Sequence, residues 1–271
     1  MVPGLAGIIM VPLDAGLVVR TPGVPFSLDL EYYPHLLAHS TTGDVASVTP
    51  SGPVLLVPLG SIEQHGPHLP LNTDAVIAER WAQATAPLVG NAVVAPTMAY
   101  GSSGEHQSFA GTLSIGTPVL TSVLIELVRS AAHSFAATVF MCGHGGNMRA
   151  VQTAVETMRI QGHRTTALFP TWNAGSLPDG LDHLDLHAGR VETSLMLYLA
   201  PDLVRLDRAE AGNEGDIVDL IEPMKQHGVG AVSPNGVLGN PAGASASEGR
   251  MLLEDLVSRN VVRVDQFISD C

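Results

Sequence analysis

Glu63 and His65 stand two residues apart in Gly60-Ser61-Ile62-Glu63-Gln64-His65-Gly66-Pro67-His68. In an extended segment such residues point to the same side, so one hard oxygen and one imidazole can reach a single small volume. That pair suits a divalent cation. Asp74 lies further along, immediately before a run, 75–81, with the apolar spacing of a helix. It has two readings. It can cap that helix by accepting a backbone N–H, or it can bridge two cations if the intervening loop folds back over the strand end. The neighbouring Glu-x-His favours the second.

Three further groups carry metal-capable or proton-carrying side chains. His144 lies in Gly143-His144-Gly145-Gly146-Asn147, directly after the apolar run 138–142. The glycines allow a tight turn around the imidazole, and Asn147 is placed to cap the helix that follows. The spacing matches neither a dinucleotide loop nor a P-loop, which leaves His144 as a ligand. Glu105-His106 follows another strand end in the same way. His187 and Glu192 flank the start of an apolar helix, 194–199, so both can face one cavity; alternatively Glu192 only favours a helix N-terminus, where negative charge is stabilised. His183 and Asp185 read as surface loop residues.

These residues need elements to hold them. Apolar runs at 54–59, 92–95, 138–142 and 165–169 read as strands, and 75–88, 118–135 and 147–161 read as helices. Thr117-Pro118 supplies a polar cap and a first-turn proline. Strands alternating with helices predict a three-layer α/β/α fold with a mainly parallel central sheet. In such a sheet ligands bind beyond the carboxyl ends of the strands, where the candidate residues fall. Residues 46–271 read as a single domain. Residues 1–45 read as an N-terminal extension, with small strands at 7–11 and 16–20 around a Pro-Leu-Asp turn, a short helix at 30–39, and a polar turn at 41–44.

Composition limits the function classes. The chain of 271 residues is 45% hydrophobic and 14% charged, with a formal net charge of -13. An acidic balance argues against nucleic acid or an anionic membrane as partner, since either needs a basic face. Cys142 and Cys271 make no disulfide framework, which points to a reducing cytoplasm. The run 123–128 is too short to span a membrane and is followed by Arg129. The first nineteen residues lack a basic start and are interrupted by Pro3, Pro12 and Asp14, so they make a poor signal peptide.

Taken together, the motif 60–74, Glu105-His106, Gly143-His144-Gly145-Gly146-Asn147 and His187-Ala188-Gly189-Arg190-Val191-Glu192-Thr193-Ser194 resembles the creatininase family of metal-dependent amidohydrolases. Segments 100–109, 231–240 and 246–250 extend the likeness towards family members that act as peptidases. The resemblance implies a creatininase-like fold, a homo-oligomer and two divalent metal ions, Fe(II), Zn or Mn. Glu63, Asp74 and His144 then match the ligands of one ion, and His65 with a bridging Asp74 those of the second. Creatininase itself has an acid two residues past the histidine that matches His144. Here that position is Gly146, and Glu192 is the candidate for the absent carboxylate. The family usually has Asn where this chain has Cys142, a thiol that is a small buried group by default and otherwise a ligand or an oxidation site.

Mixed carboxylate and imidazole ligands agree with this chemistry, because a pair of such ions lowers the pKa of water and polarises an amide carbonyl. His187 is the candidate general acid for the leaving nitrogen, since an unperturbed imidazole titrates near neutrality; Glu192 stands beside it in the catalytic set. Glu105, His106 and Trp172, the last in a loop spanning 171–186, are candidates for contact with substrate. By resemblance, the substrate is a modified small precursor peptide, cut near its C-terminus after its terminal Val-Tyr has been oxidatively decarboxylated and crosslinked. The product is the Val-Tyr-derived unit. A hydrolase of a small cyclic amide or formamide, and a non-catalytic metal-binding scaffold that presents the peptide, are the alternatives.

Overall fold

The computed structural model describes residues 9–13, 16–20, 36–172, 185 and 187–269. The chain forms two bodies, 1–32 and 33–271. In the first, β1 (Ile9–Leu13) pairs antiparallel with β2 (Gly16–Arg20), with Leu13 opposite Gly16. Pro12 and Leu13 thus belong to a strand, not to the expected turn.

The second body holds a parallel sheet in the order β4-β3-β5-β6, made of β3 (Val54–Leu59), β4 (Ala92–Val94), β5 (Ala137–Cys142) and β6 (Thr165–Leu168). Every residue of β3 and β5 is buried. A strand covered on both faces has no solvent side to alternate with, which is why these runs are continuously apolar. Crossovers run through α2 (Thr73–Val89), α3 (Thr117–Ala131) and α4 (Met148–Ile160).

One face of the sheet, with Leu55, Val57, Leu59 and Phe140, packs on Leu120, Leu124 and Val128 of α3 and on Val151, Ala154 and Met158 of α4. The other layer is built by α2, α5 (Arg190–Leu199) and α7 (Ala246–Ser269), which pack against one another. Trp81, Leu195, Leu252 and Leu253 are fully buried there. Each such side chain contributes about 1.5–3 kcal/mol by leaving water. The architecture is the expected three-layer α/β/α sandwich, completed by α6 (Ile217–His227). Among the described residues, no helix is long and apolar enough to cross a membrane.

Three local expectations change. The turn at 41–44 is the start of α1 (Thr42–Val48), because Thr41 and Asp44 form a reciprocal capping box that satisfies two otherwise unpaired N–H groups. The cap position of α3 is Gly116, at φ 78°, while Thr117 Oγ1 instead pairs with Ser102 Oγ at 2.8 Å. Of the helix read at 30–39, a three-residue 3-10 turn at Leu37–His39 is present, and 30–35 lie outside the described residues.

Strand β3 has β4 on one side and β5 on the other. The chain therefore leaves the end of β3 in one direction and returns on the other, which opens a crevice at the carboxyl ends of β3 and β5. Two glycines let α2 close over it. A side chain at Gly60 would collide with the backbone of Ala75, and a Cβ at Gly143 would stand 2.8 Å from the carbonyl oxygen of Asp74.

Candidate metal centre

The crevice gathers residues from five places. Glu63 and His65 come from the loop after β3, and Asp74 from the first turn of α2. His144 follows β5, Glu105 and His106 form a 3-10 turn after β4, and His187 and Glu192 flank the start of α5. Glu63, His65, Asp74, His106, His144 and His187 are buried.

Asp74 is no cap; the cap position is Asn72, whose side chain makes no capping bond either. Instead Asp74 Oδ1 lies 3.1 Å from His65 Nε2, and its Oδ2 lies 3.2 Å from His144 Nδ1. Glu63 Oε2 is 3.1 Å from His144 Nε2, and its Oε1 is 3.3 Å from His106 Nε2 and 3.8 Å from His187 Nδ1. Glu192 Oε2 is 3.8 Å from His65 Nε2.

Backbone carbonyls stand behind the His65 and His144 imidazoles. His65 Nδ1 donates to the carbonyl of Glu63 at 3.2 Å, and His144 Nε2 donates to that of Ser102 at 3.1 Å. A ligand imidazole held this way has its other nitrogen aimed and made more basic. The nitrogens left facing inward, His65 Nε2 and His144 Nδ1, are the two that flank Asp74.

The donor set fits divalent metal. Three combinations bring one atom from each residue within 4.8 Å of the others: Glu63 with Asp74 and His144, His65 with His187 and Glu192, and Glu63 with His106 and His187. Both oxygens of Glu63 and Oδ2 of Asp74 are buried without a hydrogen bond. Buried anionic oxygens left unpaired are costly, and a cation between them removes that cost.

Electrostatics point the same way. Burial would push the His65 and His144 imidazoles down, but carboxylates lift them, His65 to about 10 chiefly through Asp74 and His144 to about 9 chiefly through Glu63. Burial raises the Glu63 carboxyl to about 7 despite the imidazoles beside it. Burial would also raise Asp74, yet His65 and His144 hold it well below the usual carboxylate range. Protons thus occupy positions that a metal ion takes over on binding. Burial pushes His106 down to about 3 and His187 well below its ordinary value. Burial thus moves His187 away from the near-neutral value of an unperturbed imidazole.

Supporting contacts show what the sequence reading missed. Asn147, read as a cap, makes no capping bond; its Nδ2 donates to Gly60 O at 2.9 Å and its Oδ1 accepts from Ser102 N at 2.7 Å. It ties the loops after β3, β4 and β5 together. Asp185, read as a surface residue, accepts from the backbone N–H of Arg190 and of Val191 and so anchors the start of α5. Ala188 takes a left-handed φ of 53°, a strained choice for a residue with a side chain, and its N–H donates to Glu192 Oε2 at 2.6 Å. His187 exchanges backbone hydrogen bonds with Leu238, so segment 231–240 holds its main chain. Cys142 donates to His144 O at 3.2 Å and burial pushes its thiol up to about 12; it belongs to none of the three ligand combinations.

Gly146 is filled from elsewhere: a side chain there would collide with the carboxylate of Glu105, which lies 3.7 Å from His144 Nε2. Glu192 stands at the other side of the cluster, by His65. Trp172 donates its indole N–H to Leu252 O at 3.3 Å. The rest of loop 171–186, apart from Thr171 and Asp185, lies outside the described residues, as does His183.

The creatininase family model, described as creatinine amidohydrolase, matches residues 38–264. The mycofactocin precursor peptide peptidase of Mycobacterium ulcerans is 43% identical over 236 residues, covering 84% of this chain and 90% of the relative. A solved creatinine amidohydrolase (creatininase) superposes with a TM-score of 0.74 at 27% identity, covering 88% of this chain and 99% of that one. A mutant creatininase described as Zn-Zn type gives 0.73 at 26% identity, covering 87% and 98%. With this fold, this crevice and a match over most of its length, the chain belongs to the creatininase family.

Proposed function

We propose that this protein is a dinuclear metal-dependent peptidase of mycofactocin biosynthesis, cutting the modified precursor peptide near its C-terminus to release a Val-Tyr-derived unit. The observation that carries the reading is the 43% identity to a mycofactocin precursor peptide peptidase across 84% of this chain and 90% of the relative. The buried carboxylate and imidazole cluster supports hydrolysis of a C–N bond.

Glu63, Asp74 and His144 would hold one ion, and His65, Asp74 and Glu192 the other, with Fe(II), Zn and Mn all suited to such ligands. Bound there, the ions supply Lewis acidity towards the amide carbonyl and a lowered pKa for water. The protein's own residues handle the proton. Neutral His187, with Nδ1 facing Glu63, takes a proton from the attacking water and returns it to the leaving nitrogen. Glu105, half-exposed at the rim beside His144, meets the peptide. Family membership further supports a homo-oligomer.

Mass spectrometry of the crosslinked precursor peptide, incubated with the protein and Fe(II), Zn, Mn or chelator in parallel, tests this. Metal-dependent release of the Val-Tyr-derived fragment is expected. An intact peptide in every tube, with metal shown to be bound, overturns the peptidase reading in favour of a small cyclic amide or formamide as substrate.

A further inference from the structure

Gln64 lies between two candidate ligands and is itself 5% exposed. The orientation of its amide is set at both ends. Its Oε1 accepts from Gly66 N at 2.9 Å, and its Nε2 donates to Gly236 O at 3.1 Å. A flipped amide would face oxygen to carbonyl and nitrogen to N–H. Gly236, at φ 82°, leaves the room, since any side chain there would collide with the amide.

Two imidazole nitrogens also approach Gln64 Nε2: His106 Nδ1 at 2.9 Å and His187 Nε2 at 3.0 Å. An amide nitrogen has two hydrogens, and here three atoms compete for them. His187 settles the count. Its Nε2 lies 2.7 Å from the main-chain oxygen of the same Gln64, and a carbonyl oxygen can only accept. His187 Nε2 therefore carries a proton and cannot receive one. The two amide hydrogens go to Gly236 O and His106 Nδ1.

We propose that Gln64 is a positioning residue that sets the tautomers of two imidazoles at once. Its side chain holds His106 with the proton on Nε2, the nitrogen that faces Glu63 Oε1 at 3.3 Å. Its main chain holds His187 with the proton on Nε2 and a lone pair on Nδ1, towards Glu63. His65, His144 and His187 are each backed by a carbonyl; His106 is backed by an N–H donor. The combination of Glu63, His106 and His187 accordingly has no lone pair at His106 to give a metal. The Nε2 proton of His106 instead faces the Glu63 carboxylate, which leaves the ions to the ligand sets proposed above.

The tautomers follow from hydrogen-bond geometry whatever bond is cut; only the use of His187 Nδ1 as proton carrier rests on the proposed hydrolysis. Long-range ¹H–¹⁵N spectra of the full chain labelled with ¹⁵N-histidine, without substrate, test the geometry alone, with H106N and H187N assigning the resonances. In the metal-free and the zinc-loaded protein, His106 is expected neutral with its proton on Nε2, and His187 with its proton on Nε2. Q64E replaces the donor by an acceptor and should protonate His106 Nδ1. A wild-type His106 protonated on Nδ1, or zinc displacing its Nε2 proton, overturns the proposal, as does a folded Q64E whose His106 keeps a bare Nδ1. The wild-type spectra decide even if Q64E does not fold. A protein that leaves the peptide intact would not change them.

Discussion

Asp74 Oδ2 stands 3.2 Å from His144 Nδ1, although Asp74 opens the crossover after β3 and His144 the one after β5. The other oxygen of Asp74 faces His65. One carboxylate thus joins the two halves of the centre. In D74N a neutral amide replaces the bridge, and bound metal should fall by on the order of 10²-fold or more in affinity, beyond the usual cost of an outer-shell partner. Metal content by mass spectrometry after dialysis checks this; full occupancy in D74N would remove the bridging role.

H144A and H187A should separate binding from turnover. H144A is expected to lose metal and activity together. H187A should keep its metal and lose roughly 10²–10⁴-fold in kcat, the usual contribution of one acid–base group. Turnover retained in H187A would take His187 out of the reaction.

The metal-free protein should lose stability as pH rises from 7 to 10. His65 and His144 have folded values of about 10 and about 9, above the ordinary imidazole value. Their contribution is complete below pH 6.5 and is lost as pH climbs through the folded values, because the native state then binds more protons than the unfolded one. Cys142, pushed up to about 12, has the same sign above the ordinary thiol value. Metal ligands must shed their protons, so stabilisation by added zinc should grow over the same interval. Thermal melts with zinc and with chelator measure both slopes. A metal-free Tm that rises from pH 7 to 10 would contradict the assignment.

Asn147 is buried and serves two loops at once. N147A leaves Gly60 O and Ser102 N without their partner and should cost about 2–4 kcal/mol, one to three for each orphaned group with some relief from water. Urea unfolding would show this. A loss below 0.5 kcal/mol, on the order of a surface substitution, would mean the loops hold themselves.

Cys142 should be silent towards alkylating agents in the native protein, since the thiolate is the nucleophile and burial suppresses it. C142A is expected to keep its metal and to cost about 1 kcal/mol for a small cavity and a weak hydrogen bond. Modification of Cys142 in the folded state, read by intact mass, or metal lost from C142A, would make it a participant.

The sheet was legible because burial on both faces writes itself as a continuous apolar run: 54–59 needed no adjustment, and the other strands shifted by a residue at most. Helix ends were less legible. Thr41 and Asp44 cap each other reciprocally, while Thr117 and Asn147, equally good cap types, spend their polar atoms on neighbouring loops. Residue type offers a cap; only the surroundings decide whether it is used.

The sequence by itself determined which side chains could hold metal and that they follow strand ends, because ligand chemistry and apolar periodicity are properties of residues and their spacing. Tertiary structure alone decided how those side chains share the work. Asp74 came to stand between His65 and His144 because Gly60 and Gly143 let α2 close over the sheet. Asp185 became an anchor because α5 begins against it. Burial, with His65 and His106 beside it, holds His187 well below the ordinary imidazole value, and the inward-facing nitrogen of each histidine depends on what lies behind its ring. Depth, neighbours and hydrogen-bond direction arise only when distant segments meet, and no spacing along the chain encodes them.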